Sequence, residues 1–149
     1  MTGTGVNNEH TCSEDYASAA GMTSIYRKLA PEKNSGLTQK SNPSIINCKD
    51  IFNAANRGNE TAKEALCRFG QYLGRGTAMI ATVLNPACIA FGGGVSNAGE
   101  KLLEMMLPAF REYVFKPCAD VAFKIASLGN DAGIYGAVKP VLDRMLQKT

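Results

Sequence analysis

The run Leu84-Asn85-Pro86-Ala87-Cys88-Ile89-Ala90-Phe91-Gly92-Gly93-Gly94-Val95-Ser96-Asn97-Ala98-Gly99-Glu100 changes character along its length. Proline disfavours the helical conformation of the residue before it, so a helix reaching Leu84 ends at Asn85-Pro86. Ala87 to Phe91 is then a short apolar run between a proline and a glycine cluster, the pattern of a buried parallel strand. The glycines lead into a helix whose Leu103, Met106, Leu107, Phe110 and Val114 line one side. A strand that passes through glycines into a helix lets a ligand approach the main chain, and the helix N-terminus adds free N–H groups and partial positive charge. Ligands of open α/β sheets sit beyond the carboxyl ends of the strands, where this turn lies, and a nucleotide suits such a place. The run matches neither G-x-G-x-x-G nor G-x-x-x-x-G-K-[ST]. A merely tight connection explains it equally well on these residues alone.

Downstream, Val121 to Ala126 reads as a second buried strand, followed by the turn Leu128-Gly129-Asn130-Asp131-Ala132-Gly133. A last helix follows, with Ile134, Val138, Val141, Leu142 and Met145 predicted to face inward. Upstream, Asn59 is placed to cap a long helix whose Ala62, Leu66, Phe69, Leu73, Ile80 and Leu84 keep helical spacing. Gly74 and Gly76 interrupt it, each costing about 1 kcal/mol relative to alanine, so close packing against a neighbouring backbone is expected there. Asp50 to Asn56 is a short helical stretch closed by Gly58, and residues 30–47, rich in Ser, Asn, Lys and Pro, form a surface loop. Thr11-Cys12-Ser13-Glu14 has the form of a capping box for a helix running to about Leu29. Strand, glycine turn, helix, strand, turn, helix is an α/β order that implies a right-handed crossover. No linker divides residues 1–149, so one domain is expected.

At 149 residues the chain suffices for one domain with a sizeable core. Its 45% hydrophobic and 19% charged composition is that of a globular protein and not of a disordered one. The net charge is only +3, and its scattered Lys and Arg form no stripe for a phosphate backbone, which argues against nucleic acid as a partner. No segment approaches the roughly 18 apolar residues that span a bilayer, and Met1 to Cys12 lacks the form of a leader, so a cytoplasmic location without membrane contact is expected. Five cysteines, odd in number and widely spaced, with Cys67 and Cys88 inside apolar patterns, favour reduced, mostly buried thiols over a disulfide framework.

Other candidates carry less. Thr2-Gly3-Thr4-Gly5 can wrap a phosphate with backbone N–H groups, or can simply be a ragged terminus. Glu14 can accept hydrogen bonds from a ligand's hydroxyls as well as close the capping box. His10 and Cys12 are spaced like metal ligands, but a tetrahedral zinc needs four partners and no nearby C-x-x-C supplies them. Asn130 and Asp131 stand where helix capping is the ordinary explanation.

Several of these segments, in this order, resemble the ROK family of sugar kinases and repressors. Cys12 to Gly21 resembles the family's G-C-x-E-x-Y-A-S-A-x-G, the stretch that ends its zinc motif. Leu84-Asn85-Pro86 running into Ile89 to Ser96 resembles its L-N-P-x-x-I-x-x-G-G-G-V-S adenosine segment, and Ser127 to Ala137 is similar to its closing L-G-x-x-A-G-x-x-G-A. Thr2 to Val6 looks like its second phosphate segment, G-T-G-x-G, with Asn7 at the third glycine.

The resemblance implies an actin-like, hexokinase-type ATPase fold (ribonuclease H-like), of which the chain is most of the second lobe. It implies phosphoryl transfer from ATP, with Mg, to a hexose, glucose by family. Gly92, Gly93, Gly94 and Asn97 would line the adenosine side, Thr4 and Gly5 the phosphates, and Glu14 a sugar hydroxyl. The family's D-x-G-x-T loop and its aspartate general base belong to a preceding lobe, expected upstream of Met1. Of the zinc motif only Glu9, His10 and Cys12 remain, so zinc does not carry over. The resemblance also implies two strands between the positions of Val6 and Cys12 that this sequence lacks, which should leave an unpaired sheet edge, and a second copy or a chain bearing the missing lobe is the expected partner. The alternatives are a non-catalytic nucleotide- or sugar-binding module, such as the sensor part of a repressor, and a truncation product prone to aggregate.

Overall fold

The computed structural model describes residues 3–4, 10–11, 14–30, 46–128 and 131–146. Three polar caps start its helices. Ser18 accepts from the Gly21 amide at 3.1 Å and opens α2 (Ala19–Leu29), set off by this cap from the single turn α1 (Glu14–Ala17). The helix expected to run unbroken from Thr11 is therefore divided at Ser18, because its side chain captures an amide that an unbroken helix would use. Thr11 itself belongs to a strand. Asn47 and Asp50 form a reciprocal capping box that opens α3 (Cys48–Asn56). The loop read at 30–47 lies outside the described residues except for Ala30, Ile46 and this cap. Asn59 accepts from the Ala62 amide at 2.8 Å and opens α4 (Glu60–Leu84), which Asn85 ends in the left-handed region at φ 41°.

The remaining elements are β3 (Cys88–Phe91), α5 (Glu100–Tyr113), β4 (Ala122–Ile125) and α6 (Ala132–Leu146). Two residue pairs near the N-terminus, β1 (Gly3–Thr4) and β2 (His10–Thr11), face each other antiparallel, with Thr4 opposite His10. The strands β3 and β4 are parallel, Cys88 opposite Ala122 and Phe91 opposite Ile125, joined by the crossover through α5. The fold is α/β, with a short parallel sheet and packed helices.

The core lies along α4. Met22, Tyr26, Ile51, Phe69 and Leu102 close one cluster between α2, α3, α4 and α5. Ala78, Ala81, Met106, Phe110, Val114 and Cys118 close a second, over which Phe123 meets the edge of Phe110 with ring centroids 4.8 Å apart. Gly74 explains the intimacy of α4 with α5: a methyl group there would overlap the Met106 carbonyl oxygen and stand 2.8 Å from the Phe110 amide nitrogen. Gly76 does not repeat this, since a methyl group added there would meet nothing within 4 Å. The packing expected at both glycines is met at only one of them.

Two further expectations are corrected. The strands are not buried on both sides: Ile89, Phe91, Phe123 and Ile125 turn toward the helices, while Cys88, Ala90, Ala122 and Lys124 are exposed. Nor does α6 bury its apolar stripe. Ile134, Val138, Val141, Leu142 and Met145 are all exposed, between 48% and 66%. The stripe has the helical period the sequence announces, but among the described residues no layer covers it.

Candidate functional site

The turn after β3 is held open by its glycines. Gly93 takes φ +73°, a conformation costly for a residue with a side chain, and Gly92, Gly93 and Gly94 are all exposed. The Gly93 carbonyl accepts twice from Ser96, from its hydroxyl at 2.6 Å and its amide at 3.1 Å. This double grip winds Gly94–Ala98 into a 3₁₀ turn, and Gly99 at φ +61° then redirects the chain into α5. The glycines therefore do not lead directly into the helix, contrary to what their place in the sequence suggests. A short 3₁₀ segment stands between them and the N–H groups of α5, because Ser96 can satisfy itself on the carbonyl behind it.

Beside this turn lies a cavity of about 720 Å³, within the range of small-molecule sites. One wall is Gly94, Val95, Asn97 and Ala98 of the turn, with Lys101 of α5. The other is α3, with Phe52, Asn53 and Asn56 on it and Asn47, Cys48 and Lys49 at its start. A bridge from Lys101 Nζ to Asn56 Oδ1 at 3.2 Å joins the walls. Cys48 Sγ donates to the Ala19 carbonyl at 3.3 Å, and burial, outweighing that region's backbone hydrogen bond, pushes its thiol pKa up. The polar lining is amide and ammonium, and none of the described lining residues is a carboxylate or a histidine. Such a set holds a polar or anionic ligand against an apolar wall, and lacks the usual acceptor for a proton.

Of the residues singled out from sequence, Gly94 and Asn97 line the cavity, and Gly92 and Gly93 form the open bend next to it. Thr4 lies in β1 and His10 opposite it in β2, while Glu14 begins α1. Gly5, Cys12 and Asn130 lie outside the described residues, as do the side chains of Thr4, His10 and Glu14. Among the described residues no three of His, Cys, Asp and Glu gather as metal ligands would, and no helix is long and apolar enough to cross a membrane. The α3 wall is not evident from sequence. Its one signal is the spacing Asn47-x-x-Asp50, followed by Asn53 and Asn56 a helical turn apart, which puts both amides on one face.

Comparison with known proteins adds a family. The model of the ROK family matches residues 4–144. A glucokinase of Halalkalibacterium halodurans is 39% identical over 128 residues, which are 84% of this chain and 39% of that protein. A xylose repressor of Caldicellulosiruptor bescii is 24% identical over 91% of this chain and 34% of its own length. Among solved structures, a ROK family glucokinase from Streptomyces griseus in complex with glucose and AMPPNP superposes with a TM-score of 0.73 at 26% identity, over 87% of this chain and 44% of that one. The chain thus spans about two fifths of the length of these relatives.

Proposed function

Because this chain belongs to the ROK family, we propose that it is the nucleotide-binding part of an ATP-dependent hexose kinase, glucokinase-like, that makes glucose 6-phosphate from glucose. The observation that carries this reading is the exposed glycine bend with a cavity of about 720 Å³ at its side, bordered by Gly94 and Asn97. On this reading Gly92, Gly93, Gly94 and Asn97 receive the adenosine side of ATP, Thr4 and Gly5 its phosphates, and Glu14 a hydroxyl of the sugar. ATP brings the phosphoryl group and its Mg. The chain's own part is to hold the nucleotide in place, since phosphoryl transfer rests on positioning and charge stabilisation. The lining amides suit a neutral heterocycle and the lysines the negative charge attached to it, which is the fit that a nucleotide requires.

The proton acceptor for the sugar hydroxyl is assigned to a preceding lobe, on this polypeptide or a partner. The uncovered sheet face of Cys88, Ala90 and Ala122 and the apolar stripe of α6 supply the surfaces it would need. A second reading, a binding module without catalysis, is favoured by the likeness to a xylose repressor and by the absence of a proton acceptor among the described cavity residues. Calorimetry with ATP and with glucose, run beside a coupled assay for glucose 6-phosphate, separates the two. ATP binding without turnover by the chain alone, and turnover once the preceding lobe is added, is the expected result. Turnover that never appears with that lobe present leaves the binding module, and a chain that binds neither nucleotide nor glucose overturns both.

A further inference from the structure

Four asparagines line the cavity, and they are not equivalent. Asn47 Oδ1 is spent on the Asp50 amide, and Asn56 Oδ1 on Lys101. Asn53 and Asn97 are different: among the described residues neither side-chain amide has a hydrogen-bond partner, and they stand on opposite walls, one on α3 and one on the 3₁₀ turn. Asn53 lines the cavity from within α3, and its side chain caps no helix end. Its neighbour Phe52 is half-buried, anchored in the core on one side and lining the cavity on the other. An aromatic wall beside an uncommitted amide is what recognition of a planar base requires. The ring supplies a stacking surface, which is tolerant of base identity, and the amide supplies the reading of an edge.

Resting on the nucleotide reading above, we propose that the base of the nucleotide enters this cavity against Phe52, and that Asn53 makes the site prefer adenine over guanine. An asparagine amide presents one donor and one acceptor side by side. The N6-amino and N7 edge of adenine offers the complementary donor and acceptor, whereas guanine offers two acceptors there, O6 and N7, so one of the asparagine's two groups is left facing its like. The Lys101–Asn56 bridge holds the two walls together and thereby sets the width of the slot.

The test is titration calorimetry of the full chain and of Asn53→Ala with ATP and with GTP, each followed by a thermal melt. Wild type should bind ATP about tenfold or more tightly than GTP, and Asn53→Ala should lose most of that ratio with its melt unchanged. Phe52→Leu should weaken both nucleotides by a similar factor and leave the ratio alone. Retention of the wild-type ratio in Asn53→Ala, or equal binding of ATP and GTP by wild type, overturns this inference while the nucleotide reading stands. Failure of wild type to bind either nucleotide overturns both.

Discussion

Two glycines two residues apart in one helix should respond to the same substitution with opposite signs. In the interior of α4, replacing glycine by alanine gains about 1 kcal/mol of helix stability. At Gly76 nothing lies within 4 Å of the added methyl group, so Gly76→Ala should realise most of that gain. At Gly74 the methyl would overlap the Met106 carbonyl oxygen and stand 2.8 Å from both the Ala109 Cβ and the Phe110 amide nitrogen. Two of those three neighbours are main chain, which cannot swing aside as a side chain can, so α5 must move off α4 and loosen Ala78, Met106 and Phe110 behind it. Overpacking of this kind costs about 1–3 kcal/mol, and backbone contact argues for the upper end. Net of the helix gain, Gly74→Ala should destabilise by about 1–2 kcal/mol. For a domain of this size about 2–4 °C corresponds to 1 kcal/mol. Thermal unfolding followed by circular dichroism should therefore show Gly76→Ala melting a few degrees above wild type and Gly74→Ala several degrees below. If both melts shift the same way, the close crossing of α4 and α5 is wrong and the core described around Phe110 falls with it.

Other consequences are as direct. Asn47→Ala removes the α3 capping box and should cost about 1 kcal/mol, read as a lower urea midpoint at unchanged slope. Because burial disfavours the Cys48 thiolate, alkylation at pH 8 should label Cys67 and Cys88, exposed although the apolar patterns around them in sequence predict burial, well before Cys48; peptide mapping by mass spectrometry would expose the opposite order. On α6, Val141→Lys and Leu142→Lys should change stability by no more than about 0.5 kcal/mol while improving solubility; a loss of about 2 kcal/mol or more in a denaturant titration would mean that the stripe is covered after all.

Local chemistry makes much of this architecture legible in the sequence. Asn59 announced the start of α4 and Asn85-Pro86 its end, because capping and proline act within a few residues of themselves. The apolar runs before and after α5 gave two strands for the same reason, and their parallel pairing follows from the helix that must join them. The glycine bend was also visible, as was its neighbour Asn97, since an open turn needs residues without side chains wherever φ turns positive.

Three features could not be read in advance, and all are matters of what stands opposite what. A helical period says that one face is apolar and cannot say whether anything covers it, which is why the stripe of α6 looked inward and is exposed. Glycines in a helix look alike on the page, yet only the approach of α5 makes Gly74 indispensable and leaves Gly76 replaceable. The far wall of the cavity comes from α3, whose Asn53 precedes Asn97 by some forty residues of chain and meets it only across the fold. Sequence alone determined the elements and the open bend, because caps, turns and periods are short-range physics. The pairing of that bend with an amide-lined helix was decided by tertiary packing, since it depends on where α4 carries α3 and α5 relative to each other.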